Sequence, residues 1–319
     1  MPNIIRDTLP LGTTMIPDEM AKALKKHGIP VFKGKLFKHE GPMDQNLDDW
    51  GNPIFTHVND NTVVLGGAVL ALRYLFDNAS GFMPDSLNKV FDCNNFSDEQ
   101  LNTIYQSGKK SSVKLFGVGT GGASAEKFGD VHDPDFKQKQ LVDWIPFRIS
   151  DTPVLTGSTD DVSKYYFRRK FASSPTVQYG WYLKEFENAT KVPIISRWKD
   201  TIDSTGTGSE ITSDVSEDTS GNLIETYGEC MIKITADDVR PYFVFNGDLG
   251  MARYNTIGLF TGVKTNVGTG SGNAADNRTS PETYEDYVDV RLFSVVNMDN
   301  VSVKIPSETT YLYRIYAAV

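Results

Sequence analysis

Polar and apolar positions alternate most regularly between residues 222 and 234. Ile224, Thr226, Cys230, Ile232 and Ile234 share one face, while Glu225, Tyr227, Glu229 and Lys233 share the other. A period of two is the repeat of an extended strand with one face buried, so a strand is expected over 222–234. Thr235 follows as a helix cap, with Asp237 and Asp238 in the first turn, where carboxylates complement the helix dipole. Weaker versions of the strand pattern fall at 113–118, 142–149, 164–171, 177–186, 192–198 and 287–296. Another, rich in Tyr and Ile, covers 309–319. Pro146 breaks the second of these, which predicts an edge strand or an extended crossing there. An apolar strand such as 309–319 is expected to be tied into a sheet, its own or a partner's.

Helical spacing is concentrated earlier in the chain. Pro17, Asp18 and Glu19 open a short helix over 17–26, stopped by Gly28 and Pro30. Val69, Leu72 and Phe76 recur on one face of a helix over 66–78. Ser97 with Gln100 forms a capping box for a third, striped by Leu101, Ile104 and Tyr105 and closed by Gly108. No repeat period and no strand–helix alternation is visible. The pattern therefore predicts an α+β fold with a strand-rich core, sheet or sandwich, and helices mainly in the N-terminal third. Residues 1–62 are irregular and carry Phe32, Phe37, Trp50 and Phe55 among Gly, Pro and Asp. They are expected to form an extended N-terminal arm laid over the core or over a neighbouring subunit. Residues 63–319 are expected to form a single α+β domain with long polar loops at 200–221 and 262–281.

Composition narrows the partners. Apolar residues make up 39% of the 319, and the core is expected to be rich in the 18 Phe, 14 Tyr and 4 Trp. Each ring covers about 150–250 Å². The net charge of −9 repels phosphate backbones, so wrapping of duplex DNA is not expected. The one dense basic run, Arg168-Arg169-Lys170, reads as a solvated face or, alternatively, a local phosphate or partner contact. Cys93 and Cys230 lack the spacing of a zinc site or a disulfide framework and fit buried free thiols in a reducing compartment. The first residues hold no apolar stretch of signal-peptide length, and the apolar segment 63–76 is interrupted by Gly66, Gly67 and Arg73. A soluble, non-membrane protein is the expectation.

Candidate chemistry is sparse. Gly117, Gly119, Gly121 and Gly122 follow an apolar run, as a phosphate-cradling loop does. The helix that would receive the phosphate has no apolar periodicity before Gly129, and no Lys-Ser/Thr pair follows, so a tight turn is the simpler reading. Asp130, His132, Asp133 and Asp135 gather three carboxylates and an imidazole, a donor set for a cation, but without the spacing of a calcium loop. His27, His39 and His57 stand apart from any nucleophile, and no Gly-x-Ser-x-Gly elbow occurs. Asp237 and Asp238 could pass for paired catalytic carboxylates but are expected at a helix start. No catalytic, cofactor-binding or metal residues are assigned.

Several segments resemble bacteriophage virion proteins. They are 61–76 (Asn-Thr-Val-Val-Leu-Gly-Gly-Ala-Val-Leu-Ala-Leu-Arg-Tyr-Leu-Phe), 113–123 leading to Trp144-Ile-Pro-Phe-Arg148, 251–262 (Met-Ala-Arg-Tyr-Asn-Thr-Ile-Gly-Leu-Phe-Thr-Gly) and Tyr311-Leu-Tyr-Arg-Ile-Tyr316. Together they are similar to neck or head–tail connector (collar) proteins of large tailed phages. The resemblance implies a non-catalytic subunit, made in the host cytoplasm and located in the virion, that joins the capsid portal to the tail. It implies a homo-oligomeric ring in contact with other virion proteins, no cofactor, no membrane, and passage of DNA without specific binding. The aromatic arm and the last strand would then supply subunit contacts. A baseplate or fibre-attachment subunit is the alternative within the virion. Outside it stand a nucleotide- or metal-dependent enzyme using the Gly117–Gly122 loop and a carbohydrate-binding module suggested by aromatic strands.

Overall fold

The computed structural model describes residues 31–49, 51–63, 103–124, 130–132, 144–152, 155, 163–172, 175–188, 194–199, 210–211, 223–267, 284–304 and 308–318. Among them, thirteen strands join in one antiparallel system with the order β5-β7-β3-β11-β12-β2-β1-β13-β10-β8-β9; β4 pairs with β3 and β6 with β7. In chain order the strands are β1 (Val31–Glu40), β2 (Thr56–Val63), β3 (Ser112–Gly119), β4 (Trp144–Ile145), β5 (Arg148–Ser150), β6 (Tyr165–Ala172) and β7 (Gln178–Glu185). They continue with β8 (Ile194–Lys199), β9 (Glu210–Ile211), β10 (Leu223–Thr235), β11 (Arg253–Val267), β12 (Tyr284–Ser302) and β13 (Glu308–Ala318). Helix α1 spans Ala236–Phe245 and is followed by a 3-10 turn at Leu249–Met251.

The strand system divides into two halves whose strand pairing, among the described residues, runs through Ser294↔Val63 and Val295↔Thr62 between β12 and β2. The halves share one core. Leu36, Ile232, Tyr311 and Tyr313 from one half pack with Phe116, Ile257, Leu259 and Val296 from the other. Each of these apolar side chains, once fully buried, contributes about 1.5–3 kcal/mol. Two tyrosine contacts bolt the halves together: the Tyr254 and Tyr311 hydroxyls lie 2.7 Å apart, and Ser294 hydrogen-bonds the Tyr313 hydroxyl. β11 and β12 are buried almost throughout because their second face is also covered, by a smaller cluster holding Tyr166, Phe167, Phe260 and Leu292. A strand covered on both faces needs apolar side chains on both.

The strand-rich core is as the sequence predicts, but the helix placement is not. The complete helix among the described residues is α1, far from the N-terminal third. Of the three helices expected early, 17–26 and 66–78 lie outside the described residues. Residues 103–106 are helical and end at Gly108, whose φ of +84° is the left-handed cap that a glycine supplies.

Within the segment 1–62 expected as an arm, residues 31–40 and 56–62 are sheet. β1 lies between β2 and β13 inside the sheet, with ten residue pairs to β13 running from Val31↔Ala318 to Glu40↔Thr309. Its low apolar content is tolerated because backbone pairing on both sides, rather than a greasy face, fixes it; residues 1–30 lie outside the described set. β13 is likewise interior, paired with β1 and β10, so its backbone is not offered to a partner. Parts of the segments expected as polar loops are strand. β11 runs on to Val267, so 262–267 are strand, and Glu210–Ile211 pair with β8 inside the segment 200–221. Tyr227, placed on the polar face of β10, is 2% exposed, because Tyr316 packs on its ring at 5.1 Å and Arg314 stacks at 4.8 Å.

Candidate docking face and the buried polar clusters

The register of the strands brings one set of segments to a common end. Glu40 on β1 is level with Thr309, and Thr235 on β10 pairs with Glu308. On the other half, Arg253 pairs with Ser302 and Thr256 with Gly119. β12 runs antiparallel to β2, so Ser302 lies toward the end where β2 begins. The β1–β2 loop, residues 120–132, α1 and the 3-10 turn therefore all open from this end. It carries every exposed large apolar residue among the described ones: Leu47, Ile54 and Val131, and the closer set Val244, Phe245, Leu249 and Met251. Exposed apolar side chains gathered in one region mark a contact surface more than scattered ones do.

Two clefts open beside these residues. One, of about 410 Å³, is lined by Arg148, Asp237, Arg240, Pro241 and Val244. The other, of about 520 Å³, lies between β2 and β12 and includes Lys38, Asn59, Val131, Asn300 and Tyr311. The β1–β2 loop is held by its own bonds. Ile54 N–H donates to the Asn46 carbonyl, Gly51 N–H to Asp48, and the Asp48 carboxylate accepts from Asn52. Buried His39 binds the carbonyls of Ile54 and Pro42 through its two ring nitrogens, a structural role.

Helix α1 is fixed by a buried ion cluster. Asp238, fully buried, accepts from Lys184 Nζ at 2.9 Å, from the Tyr165 hydroxyl at 2.8 Å and from both the N–H and the hydroxyl of Thr235 at 3.0 Å. Arg148 lies 3.5 Å away. Burial alone would raise the Asp238 pKa, but Lys184 and the donors of Thr235 and Tyr165 outweigh it and hold the carboxyl below its ordinary value. Pro241 has no N–H for the carbonyl of Asp237 one turn before it, and Arg148 NH1 donates to that carbonyl at 2.7 Å. Of the two carboxylates, Asp237 is exposed, and Asp238 is buried and closed on its partners.

The basic run is not a solvated face. Arg168 and Arg169 are 3% and 6% exposed. The Arg169 guanidinium lies 3.6 Å from the Phe167 ring centroid and 3.9 Å from Asp286. Asp286 also accepts from the Phe167 N–H at 2.6 Å, where the backbone has a φ of +60°. Nearby, Asp289 takes Arg291 at 2.8 Å and the Tyr105 hydroxyl at 2.5 Å. A third cluster joins Lys264 to Tyr166 at 2.7 Å and to Glu185 at 3.2 Å, while the Tyr287 hydroxyl donates to Glu185 at 2.8 Å. Burial works against the Lys264 charge, yet Tyr166 and Glu185 hold its pKa above the ordinary value. Burial, and then Glu185, raises that of Tyr287. These groups neutralise one another.

In the glycine loop, Gly122 packs closely on protein. No helix follows Gly119 through Ser124. Gly122 donates to the Asn255 side chain at 2.7 Å, and a Cβ there would fall 2.2 Å from the Thr256 hydroxyl and 2.5 Å from the Asn255 carbonyl. Asn255 in turn binds Thr120, Ala123 and Asn300. Of the acidic cluster, Asp130 and His132 are exposed on a bridge between Ala123 and Val131, and Asp133 and Asp135 lie outside the described residues. Among the described residues no three His, Cys, Asp or Glu side chains converge as a metal site. His57 is exposed against Phe37, Cys230 is a buried free thiol, and His27 and Cys93 lie outside the described residues. No described helix is long and apolar enough to cross a membrane.

The apolar end was missed from the sequence because its members are scattered over some two hundred positions. Only the strand register collects them. The comparisons add no relative: no protein-family model, curated protein or solved structure matches this chain.

Proposed function

We propose that this chain is a non-catalytic structural subunit of a bacteriophage virion, placed in the neck or collar that joins the capsid portal to the tail, and acting in several copies. The observation that carries the assembly role is the collection of exposed apolar side chains at one end of the sandwich. The chain's charged interior groups, by contrast, are closed on one another. An assembly subunit needs a rigid body with a sticky end, and the buried Asp238, Asp286 and Asp289 clusters with the tyrosine bolts supply the rigidity. The phage assignment and the neck position rest on the resemblance of 61–76, 113–123, 251–262 and 311–316. The net charge of −9 suits a part past which DNA slides without being held.

Mass spectrometry and electron microscopy of purified particles test the reading. Several symmetric copies at the head–tail junction are the expected result. Copies at the baseplate or fibres would keep the structural role and replace the position. Absence from particles would overturn the virion reading.

A further inference from the structure

We infer that the apolar end of the sandwich docks onto a different protein, one whose contact surface sets apolar side chains among lysines and arginines. This inference rests on the assembly role proposed above and names the partner's chemistry.

The charge around the apolar residues carries the argument. Asp44, Asp48 and Asp49 are exposed on the loop that bears Leu47 and Ile54. Asp237 and Asp248 are exposed on either side of the Val244–Phe245 end of α1, and Asp299 is exposed near the end of β12. Against them stand exposed Lys304 and the half-buried Arg240 and Arg253, while Arg148 faces Asp238 at 3.5 Å, Lys233 is taken by Glu308 at 2.7 Å and Lys38 by Glu40 at 2.8 Å. Among the described residues this end is therefore apolar and acidic together. Two copies meeting through this same end would bring the same carboxylates face to face, and like charges opposed across an interface are repelled. A cationic rim around an apolar centre on the partner removes that penalty and complements the acidic rim of this end.

The surface is also prepared for contact. The loop carrying Leu47 and Ile54 is locked by its backbone bonds and by His39, and Val244, Leu249 and Met251 stand on a helix end and a tight turn. Docking onto side chains already held in place loses little ordering entropy.

The test uses the full chain, affinity-tagged, in the cells that produce it. A carbodiimide joins carboxylates directly to lysines in contact with them, and peptide mapping then identifies both ends. The expected result is that Asp299 and the loop carboxylates join lysines of a different polypeptide, while Glu285, exposed at the opposite end, does not. Phe245→Ser with Leu249→Ser, and separately Asp44→Lys with Asp49→Lys, should each lower the Asp299 joins about tenfold, as the loss of about 1.4 kcal/mol of contact requires. These positions are exposed, and an unchanged melting temperature verifies that the variants fold.

Three results would overturn the inference: no joins from this end, joins to a second copy of the chain, or joins that survive both variants. The two proposals fail separately. A chain present in particles whose apolar end joins nothing refutes the docking inference alone. A cationic partner joined in cells whose particles lack the chain refutes the virion reading alone.

Discussion

Replacing Asp238 by Asn isolates what the buried ion cluster contributes. The substitution keeps the shape of the side chain and removes its charge. In the native fold the carboxylate accepts bonds from Lys184, Tyr165 and Thr235 with none of its surface exposed. An amide has one acceptor oxygen, so its NH2 must turn toward one of these donors. Lys184, 12% exposed, is then left as a charge without its counter-ion. Breaking a buried pair from one side costs about 3–5 kcal/mol. At about 2 °C per kcal/mol for a chain of this length, the melting temperature should fall by about 6–10 °C. Asp237→Asn is the matched control. It lies in the same first turn, loses the same charge near the helix dipole, and is exposed. Its cost should stay within about 0.5 kcal/mol. Urea unfolding of the three proteins at pH 7, with equal slopes, measures both numbers. If Asp238→Asn and Asp237→Asn differ by less than about 0.5 kcal/mol, the cluster does not anchor α1 and the reasoning fails.

Three further outcomes follow from the same physics. Because the folded pKa of Asp238 lies below its unfolded value, its contribution is complete above about pH 4 and is lost as pH falls through the folded value; the acid limb of urea midpoints against pH should be shallower in Asp238→Asn. Gly122→Ala should destabilise by about 1–3 kcal/mol or more, since the new methyl meets a backbone carbonyl that cannot rotate away, whereas Gly250→Ala, with open space around it, should be nearly neutral; equal melting temperatures would refute the close approach. Burial pushes the Cys230 thiol well above its ordinary pKa, so a disulfide reagent should modify it only as fast as the protein unfolds, and rapid modification in the native state would contradict its placement.

The strands that could be read were those with one wet face or none. β10 alternates because half its side chains meet the core, and β13 and the middle of β12 are apolar enough to declare themselves. β1 could not be read. Lys33, Lys35, Lys38 and His39 dilute Leu36 and Phe37, and what makes it a strand is pairing with residues 56–61 and 309–318, which is long-range information. β12 extends nine residues beyond the ten expected, since Asp286 and Asn297 look like loop residues until Phe167 and Thr256 satisfy them. The same holds for Arg168 and Arg169, whose neighbours in sequence give no hint of the partners that bury them. The capped start of α1 was legible, being local chemistry. The docking face was not, being a product of register alone.

The position of β13 has a consequence for how the chain is made. It is the last described strand to leave the ribosome, yet it closes the gap between β1 and β10. Until residue 318 emerges, both of those strands present an open edge, and the tyrosine bolts from Tyr311 and Tyr313 are missing. Folding of this half therefore waits for residues 309–318, over a loop closure of nearly three hundred residues. A nascent or truncated chain carries two adhesive edges in the meantime, and the cell that makes it must keep them apart.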